Sequence, residues 1–416
     1  MTSVSASHSA AALSNVEIAY GVPLGYETSR APLARRPEPP TPRDALEAVL
    51  RQALLRPPCA ISFSGGRDSS ALLAIATTVA RRDALADPVP VTLRFPGSAE
   101  ADEADWQALV LDRLGLPDWV RIDVQGDDFD AVGPIARSVL STHGLMWPFN
   151  AHFHAPIIEV ATGGSLVTGF GGDEVGLSSA TSRAEQVLAG RRRPHPSDVL
   201  TVGLALSPQL VRRAVHRRRV EAESGGLPWL TPTGRRAVRS AAAAASAGVP
   251  LGWNRALRKA VWRSRYFAVC QQNFAAMGAM ADVEVFHPFV SAPVLDALAA
   301  AGGFAGLGSR TNVMRTLCGS DLPEAVVTRR SKGTFSAPVW TSTARTFATQ
   351  WSGGGVDRSL VDVDLLRAHW ATDDINLLST TLLQAAWLHD NATRTAAESE
   401  SPGSRPDEQG HGIVHV

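Results

Sequence analysis

Two kinds of apolar spacing alternate along the first half of the chain. Short apolar runs at residues 59–63 (CAISF), 91–95 (VTLRF) and 165–168 (SLVT) have strand length, and between them stretches such as residues 71–76 (ALLAIA) carry a helical pattern. Thr41 or Pro42 is placed to start the first long helix, after the extended Pro-rich run at residues 35–40. Strands separated by amphipathic helices predict a parallel sheet with helices on both faces, an α/β class, over about residues 44–177. From about Thr181 strand signals fade, and Ala-rich stretches at residues 236–247 and 292–301 predict a mainly helical region. The expected organisation is therefore a flexible Pro/Ser/Ala-rich segment (1–42), an α/β core (43–180), a mainly helical region (181–395) and a disordered tail (396–416).

Candidate chemistry sits where two of these strands end. Residues 64–70 read SGGRDSS and join the first strand to a helix. Gly65 and Gly66 let the backbone approach a ligand. Ser62, Ser64, Ser69 and Ser70, with the uncapped amides of the first helical turn, suit a phosphate or pyrophosphate. The run lacks the Lys of a Walker A loop and the three spaced glycines of the dinucleotide fingerprint. It contains Asp68 instead, and a carboxylate beside polyphosphate calls for Mg²⁺ between the two anions. The strand at residues 165–168 runs into a second flexible turn, GFGGDE, with Gly169, Gly171 and Gly172 followed by Asp173 and Glu174. Loops at the carboxyl ends of parallel strands gather on one edge, so Asp68 and Asp173 are expected to share one cation.

Together the two loops resemble the N-type ATP-pyrophosphatase (PP-loop) domain of the asparagine synthetase family. The resemblance extends from about Ala45 to about Trp387. It takes in an acidic helix start at residues 100–107 with a Leu-Gly turn at 114–116, the segment 280–289, and the run 329–335 (RRSKGTF) with Pro338 and Trp340. It implies ATP on the first loop, Mg²⁺ on Asp68 and Asp173, and catalytic roles for Glu174 and for Lys332, the latter at the α-phosphate. The implied reaction is an ATP-dependent, AMP-forming ligation. A carboxylate of a small molecule or peptide is adenylated, pyrophosphate leaves, and an amine displaces AMP. Phe286 stands where the family carries Arg, and Ser291 stands near an expected Asp, which places the departures in the acceptor region. Glutamine-dependent members begin with a glutaminase domain whose Cys follows the initiator Met. Here Thr2 follows Met1 and the first cysteine is Cys59, so the amine is expected to be ammonia, ammonia from a partner, or an amine of the substrate itself, as in the related β-lactam synthetase and lasso-peptide cyclase.

Composition narrows the alternatives. The 416 residues are 44% hydrophobic with zero formal net charge, so no global field recruits nucleic acid, which is not expected as a partner. Three cysteines without a CxxC pair read as buried small hydrophobes of a reducing compartment; with neither a signal peptide nor a membrane-length apolar run, the cytoplasm is expected. Only Lys259 and Lys332 are lysines among 40 basic residues, which singles out Lys332 as a position needing a compact ammonium. His152 and His154 read as structural or substrate-contacting rather than as metal ligands. Nine arginines between Arg183 and Arg219 read as a solvated face. Two alternatives stand beside the ligase: a nucleotide-binding protein without ligase activity, and a PP-loop enzyme acting on RNA.

Overall fold

Alternate residues of strand β1 (Cys59–Ser62) enter different cores, and that alternation sets the architecture. Cys59, Ile61 and the following Phe63 pack into one apolar cluster, whereas Ala60 packs into another on the opposite face. A strand buried on both faces needs helices above and below it. The structure is a computed structural model and describes residues 11–96, 103–116, 119–176, 181–223, 226–329 and 337–400. With β2 (Val89–Arg94), β3 (Val120–Asp123), β4 (Ser165–Val167) and β5 (Glu284–Phe286), β1 forms a five-stranded sheet in the order β3-β2-β1-β4-β5. Every neighbouring pair is parallel. This is the expected α/β class, with helices around the sheet and a helical region after it.

Strand β5 lies in the stretch whose sequence reads as helical. Three residues are too few for an alternation to show, and only pairing with β4, Leu166 opposite Val285 and Val167 opposite Phe286, defines the strand. A second difference lies within residues 1–42, where a flexible segment is expected. Asn15–Tyr20 forms helix α1, closed by a Ser14/Glu17 capping box, and Arg265 Nε donates to Glu17 Oε1 at 2.6 Å. Serine- and alanine-rich composition hides a four-residue cap of this kind.

Helix α2 (Pro42–Leu54) starts as its sequence predicts, with Thr41 accepting from the Asp44 amide. Helix α3 (Arg67–Arg82) follows the first loop and is the central core helix: Leu72, Leu73, Ala74, Ile75 and Ala76 are all 0% exposed. A helix apolar nearly all round belongs inside. It is covered by α2 and by the helices Ala292–Gly302 and Arg310–Cys318, while α4 (Ala104–Leu114) flanks it. The other face of the sheet carries α5 (Pro134–His143), α6 (Ala155–Val160) and the helix Arg265–Ala279. A further core, with Trp229, Trp340, Trp351, Trp370 and Trp387, joins the C-terminal helices. The last helix, Thr380–Glu400, runs on beyond Ala396, where the tail is expected to begin. Cys59, Cys270 and Cys318 are buried free thiols, and among the described residues no helix is long and apolar enough to cross a membrane.

Candidate active site

The chain leaves β1 towards β2 and β3 on one side, whereas β4 and β5 lie on the other. Strand order therefore reverses between β1 and β4, and such a switch point leaves a crevice at the strands' carboxyl ends. Both loops singled out in the sequence emerge there, since Ile61 pairs with Val167. Gly65 turns the first loop at φ 80°, in the left-handed region that favours glycine. Ser64 and Ser69 bring their hydroxyls within 3.2 Å, the Ser64 amide donates to Ser69 Oγ at 3.2 Å, and the Gly66 amide donates to Ser64 Oγ at 3.3 Å. Gly66 caps α3 without a side chain, so no side chain occupies the amides of the first turn from that position. Ser70 differs from the other two serines. It is 0% exposed, and its hydroxyl has no partner among the described residues.

The second loop presses directly on the first. A Cβ added to Gly172 would lie 2.5 Å from Asp68 Cγ and 2.7 Å from Asp68 Oδ1, so only glycine permits this approach. Gly171, at φ 86°, would drive a Cβ into Val290 Cγ1, while a Cβ on Gly169 would meet Asp68 Cβ at an ordinary 3.5 Å. Helix α7 (Gly172–Gly176) begins at this point, with Asp173 and Glu174 in its first turn. Asp68 and Asp173 then meet on one cation: Arg310 gives Nη2 to Asp68 Oδ2 and Nη1 to Asp173 Oδ1. Two carboxylates aimed at one positive centre, beside a phosphate-sized nest of amides and hydroxyls, fit Mg²⁺. That ion takes one or two protein carboxylates and completes its shell with water and phosphate oxygens. Among the described residues no cluster of three or more His, Cys, Asp or Glu side chains forms a dedicated metal cage.

Glu174 faces an aromatic wall. The Tyr266 hydroxyl donates to Glu174 Oε1 at 3.4 Å, and burial, followed by the Glu174 charge, pushes the phenol well above its ordinary pKa. The Tyr266 ring stacks on Phe170, with centres 5.8 Å apart and planes 16° apart. Behind it His287 lies 2.6 Å from Thr168 Oγ1 through Nδ1, between Phe170 and Phe274, and burial pushes its pKa down to about 3. Phe286, the departure from the family's Arg, is the β5 residue paired with Val167.

Three residues spaced i, i+3 and i+4 at the start of α4 brace the first loop from outside. Gln107 Nε2 donates to the Ser64 carbonyl at 3.2 Å; buried Glu103 accepts from Arg329 Nη2 at 2.6 Å; the Arg329 guanidinium lies 4.6 Å from the centre of the Trp106 ring. Arg329 also donates to the Gly65 carbonyl at 3.1 Å. Burial lowers the pKa of Arg67 on the loop, and the neighbouring charges of Arg310 and Arg329 add to this. The site is thus rich in arginine, and Arg310 and Arg329 are contributors that the sequence reading does not single out. Lys332 lies outside the described residues.

A cavity of about 190 Å³ opens beside the first loop, bounded by Ser62, Phe63, Ser64, Val91, Leu93 and Phe95 on the sheet side and by Asn150, Phe153 and His154 opposite. His154 thus reaches the site as a lining residue. His152 does not: it is buried, with Nε2 3.1 Å from the Phe129 carbonyl, and burial pushes its pKa down to about 4. No curated protein matches the chain. The family model described as asparagine synthase matches residues 43–393, a span that contains the sheet, both loops, Arg310 and Lys332. Members of that family are ATP-dependent amide-forming synthetases that use ATP, usually with Mg²⁺. The nucleotide-like crevice, the paired aspartates and this match agree, and the chain belongs to the asparagine synthase family.

Proposed function

We propose that the chain is a ligase that activates a carboxylate as its acyl-adenylate and passes the acyl group to an amine. The observation that carries this reading is the meeting of Asp68 and Asp173, from loops of adjacent strands, on one cation beside the amides that open α3. In this reading the pyrophosphate portion of ATP lies on Ser64, Gly65, Gly66 and Ser69, with Gly169, Gly171 and Gly172 opposite. The cavity beside Ser62 takes the adenosine. Ser70 supports the loop from the core. Asp68 and Asp173 would hold Mg²⁺, which when bound neutralises the leaving pyrophosphate.

A substrate carboxylate oxygen attacks the α-phosphorus, the bond from that phosphorus to the bridging oxygen breaks, and pyrophosphate departs. The amine nitrogen then attacks the acyl carbon, AMP leaves, and the nitrogen sheds a proton. Glu174, hydrogen-bonded by Tyr266 at the crevice, is the base in reach. Lys332 serves the α-phosphate and the acyl oxyanion. Its segment starts three residues earlier at Arg329, which is tied to the Gly65 carbonyl of the first loop. In this reading the acceptor lies beside Phe170 and Tyr266, and Phe286 stands in place of the family's Arg, which favours an amine carried by the substrate, or ammonia, over an acid held by a guanidinium.

The test is product analysis over a panel of carboxylates with ammonium salts, glutamine or tethered amines. Carboxylate-dependent release of AMP and pyrophosphate is expected, with ammonium or a tethered amine, but not glutamine, supporting amide formation. Release of ADP and phosphate in place of AMP and pyrophosphate would sink the adenylation reading.

A further inference from the structure

The cation between the two loops is itself a side chain, and one of its donors is left over. Arg310 spans Asp68 and Asp173 with its two terminal nitrogens, yet its Nε is buried and makes no hydrogen bond among the described residues. A planar guanidinium is best satisfied by one oxyanion that accepts two of its N–H groups side by side, such as a single carboxylate or a phosphate. Asp68 Oδ1 is buried and closely covered by Gly172, which leaves Oδ2 as the oxygen open to a cation, and Arg310 holds that atom. A divalent cation and Arg310 therefore compete for the same oxygen. Charge makes the competition unequal once a nucleotide is present. Two carboxylates with one guanidinium keep a net negative charge, and a divalent ion cancels it fully.

The backbone allows the exchange. Arg310 is the first residue of its helix, after the Ser309 cap, and the preceding Gly306 and Gly308 sit at φ 72° and 92°. The side chain is half-buried, 20% exposed, and so keeps a path to solvent.

We propose that Arg310 is an exchangeable counterion. It holds the two aspartates together before nucleotide binds, yields both to the divalent cation, and turns its guanidinium to the phosphates of the bound nucleotide. This rests on the reading of Asp68 and Asp173 as cation ligands, and it makes Arg310 a polyphosphate-binding residue of the ligase.

The experiment uses the full chain, Mn²⁺ alone without nucleotide, and the electron paramagnetic resonance signal of free Mn²⁺ as readout. Arg310→Gln removes the competitor and is expected to bind Mn²⁺ at least about ten-fold more tightly than the wild type. Arg67→Gln removes a nearby charge that does not bridge the aspartates and is expected to tighten binding by less than about three-fold. With Mn²⁺ saturating, inorganic pyrophosphate should bind Arg310→Gln about ten-fold more weakly. Mn²⁺ affinity in Arg310→Gln at or below the wild-type value, or an equal gain in Arg67→Gln, overturns the exchange. Should Arg310→Gln fail to fold, Arg310→Lys keeps the charge but loses the two-pronged bridge, and an affinity for Mn²⁺ no higher than wild type overturns the proposal in that variant. Adding Asp68→Asn to Arg310→Gln separates the two readings. Loss of the tightened binding supports both. Undiminished binding shows that the aspartates are not the cation ligands, so that the site reading fails together with the exchange.

Discussion

The carboxyl edge of the sheet and the arm formed by the helices Pro196–Leu206 and Gln209–Glu223 use arginine in opposite ways. At the edge, Arg310 and Arg329 are each held by carboxylates, half-buried or buried, within reach of a glycine loop. On the arm, Arg213, Arg217, Arg218 and Arg219 are exposed, and so are Leu200, Leu206 and Leu210, at 76%, 71% and 78%. The arm has the higher density of basic residues. The proposed function puts the chemistry at the edge, because there opposite charges from distant parts of the chain are brought together where water is scarce.

The comparison breaks most visibly at the edge. Asp173→Asn and Lys332→Ala should each lower kcat by roughly 10² to 10³: the first weakens the hold on the Mg²⁺ that would neutralise the pyrophosphate, and the second removes a positive charge from groups that become more anionic as the reaction proceeds. For Lys332→Ala the rise in KM for ATP should be much smaller than the loss in kcat, and Lys332→Arg should recover little, since its charge is spread over a larger plane. Steady-state kinetics with a verified substrate pair decide this. Near-normal turnover in either variant would remove that residue from the active site.

A smaller effect is expected from crowding the two loops. Gly172→Ala would place a methyl 2.5 Å from Asp68 Cγ, and Asp68 must move to admit it. Displacing a positioned group by about 1 Å costs about 10² in rate, with little loss of global stability. Gly169→Ala, whose methyl meets Asp68 Cβ at 3.5 Å, should retain most activity. Equal effects in the two variants would mean that loop flexibility, not the contact on Asp68, is what matters.

Both loops were legible in the sequence because each needs glycines, acids and a strand boundary at fixed spacing, and few other structures ask for that combination. Arg310 was not legible. In a chain that uses arginine almost everywhere, one more arginine at a helix start carries no mark, whereas the rarity of lysine made Lys332 stand out. Strand β5 and helix α1 were lost because each is short: β5 is defined by its partner β4, far along the chain, and α1 by a four-residue cap that a serine- and alanine-rich stretch hides. Ser70 shows the converse, since its motif position matches that of Ser64 and Ser69 while its complete burial, which the motif does not announce, sets it apart from them.

Acid should separate the dry edge from the wet arm. Burial holds His287 at about 3 and His152 at about 4, while the unfolded chain binds those protons near pH 6.5. Folded pKa values below the unfolded one mean stability that is complete above pH 6.5 and is lost as pH falls towards 4 and then 3. Each histidine contributes up to about 1.4 kcal/mol per pH unit within its window. Urea unfolding between pH 7.5 and 5 should show a shallower slope for His287→Phe than for the wild type, by about one proton. The arm's His216, half-buried, has its pKa lowered by burial and then by Arg219 and Arg212, and His216→Phe should change the slope less. An unchanged slope in His287→Phe would mean that this imidazole is accessible to protons in the folded state.

The smallest effect is expected where the sequence draws most attention. Arg217, Arg218 and Arg219 are each exposed on the helix Gln209–Glu223, which packs against the helix Pro232–Ala247. Exposed charges of this kind are worth about 0.5 kcal/mol or less each, and removing three neighbouring like charges relieves their mutual repulsion as much as it forfeits any favourable contact. The triple replacement Arg217→Ser, Arg218→Ser and Arg219→Ser should therefore leave the thermal midpoint nearly unchanged and keep kcat/KM within about two-fold for a small-molecule carboxylate and amine. A large loss of turnover with such substrates would make the arm part of the active site and end the contrast with the sheet edge.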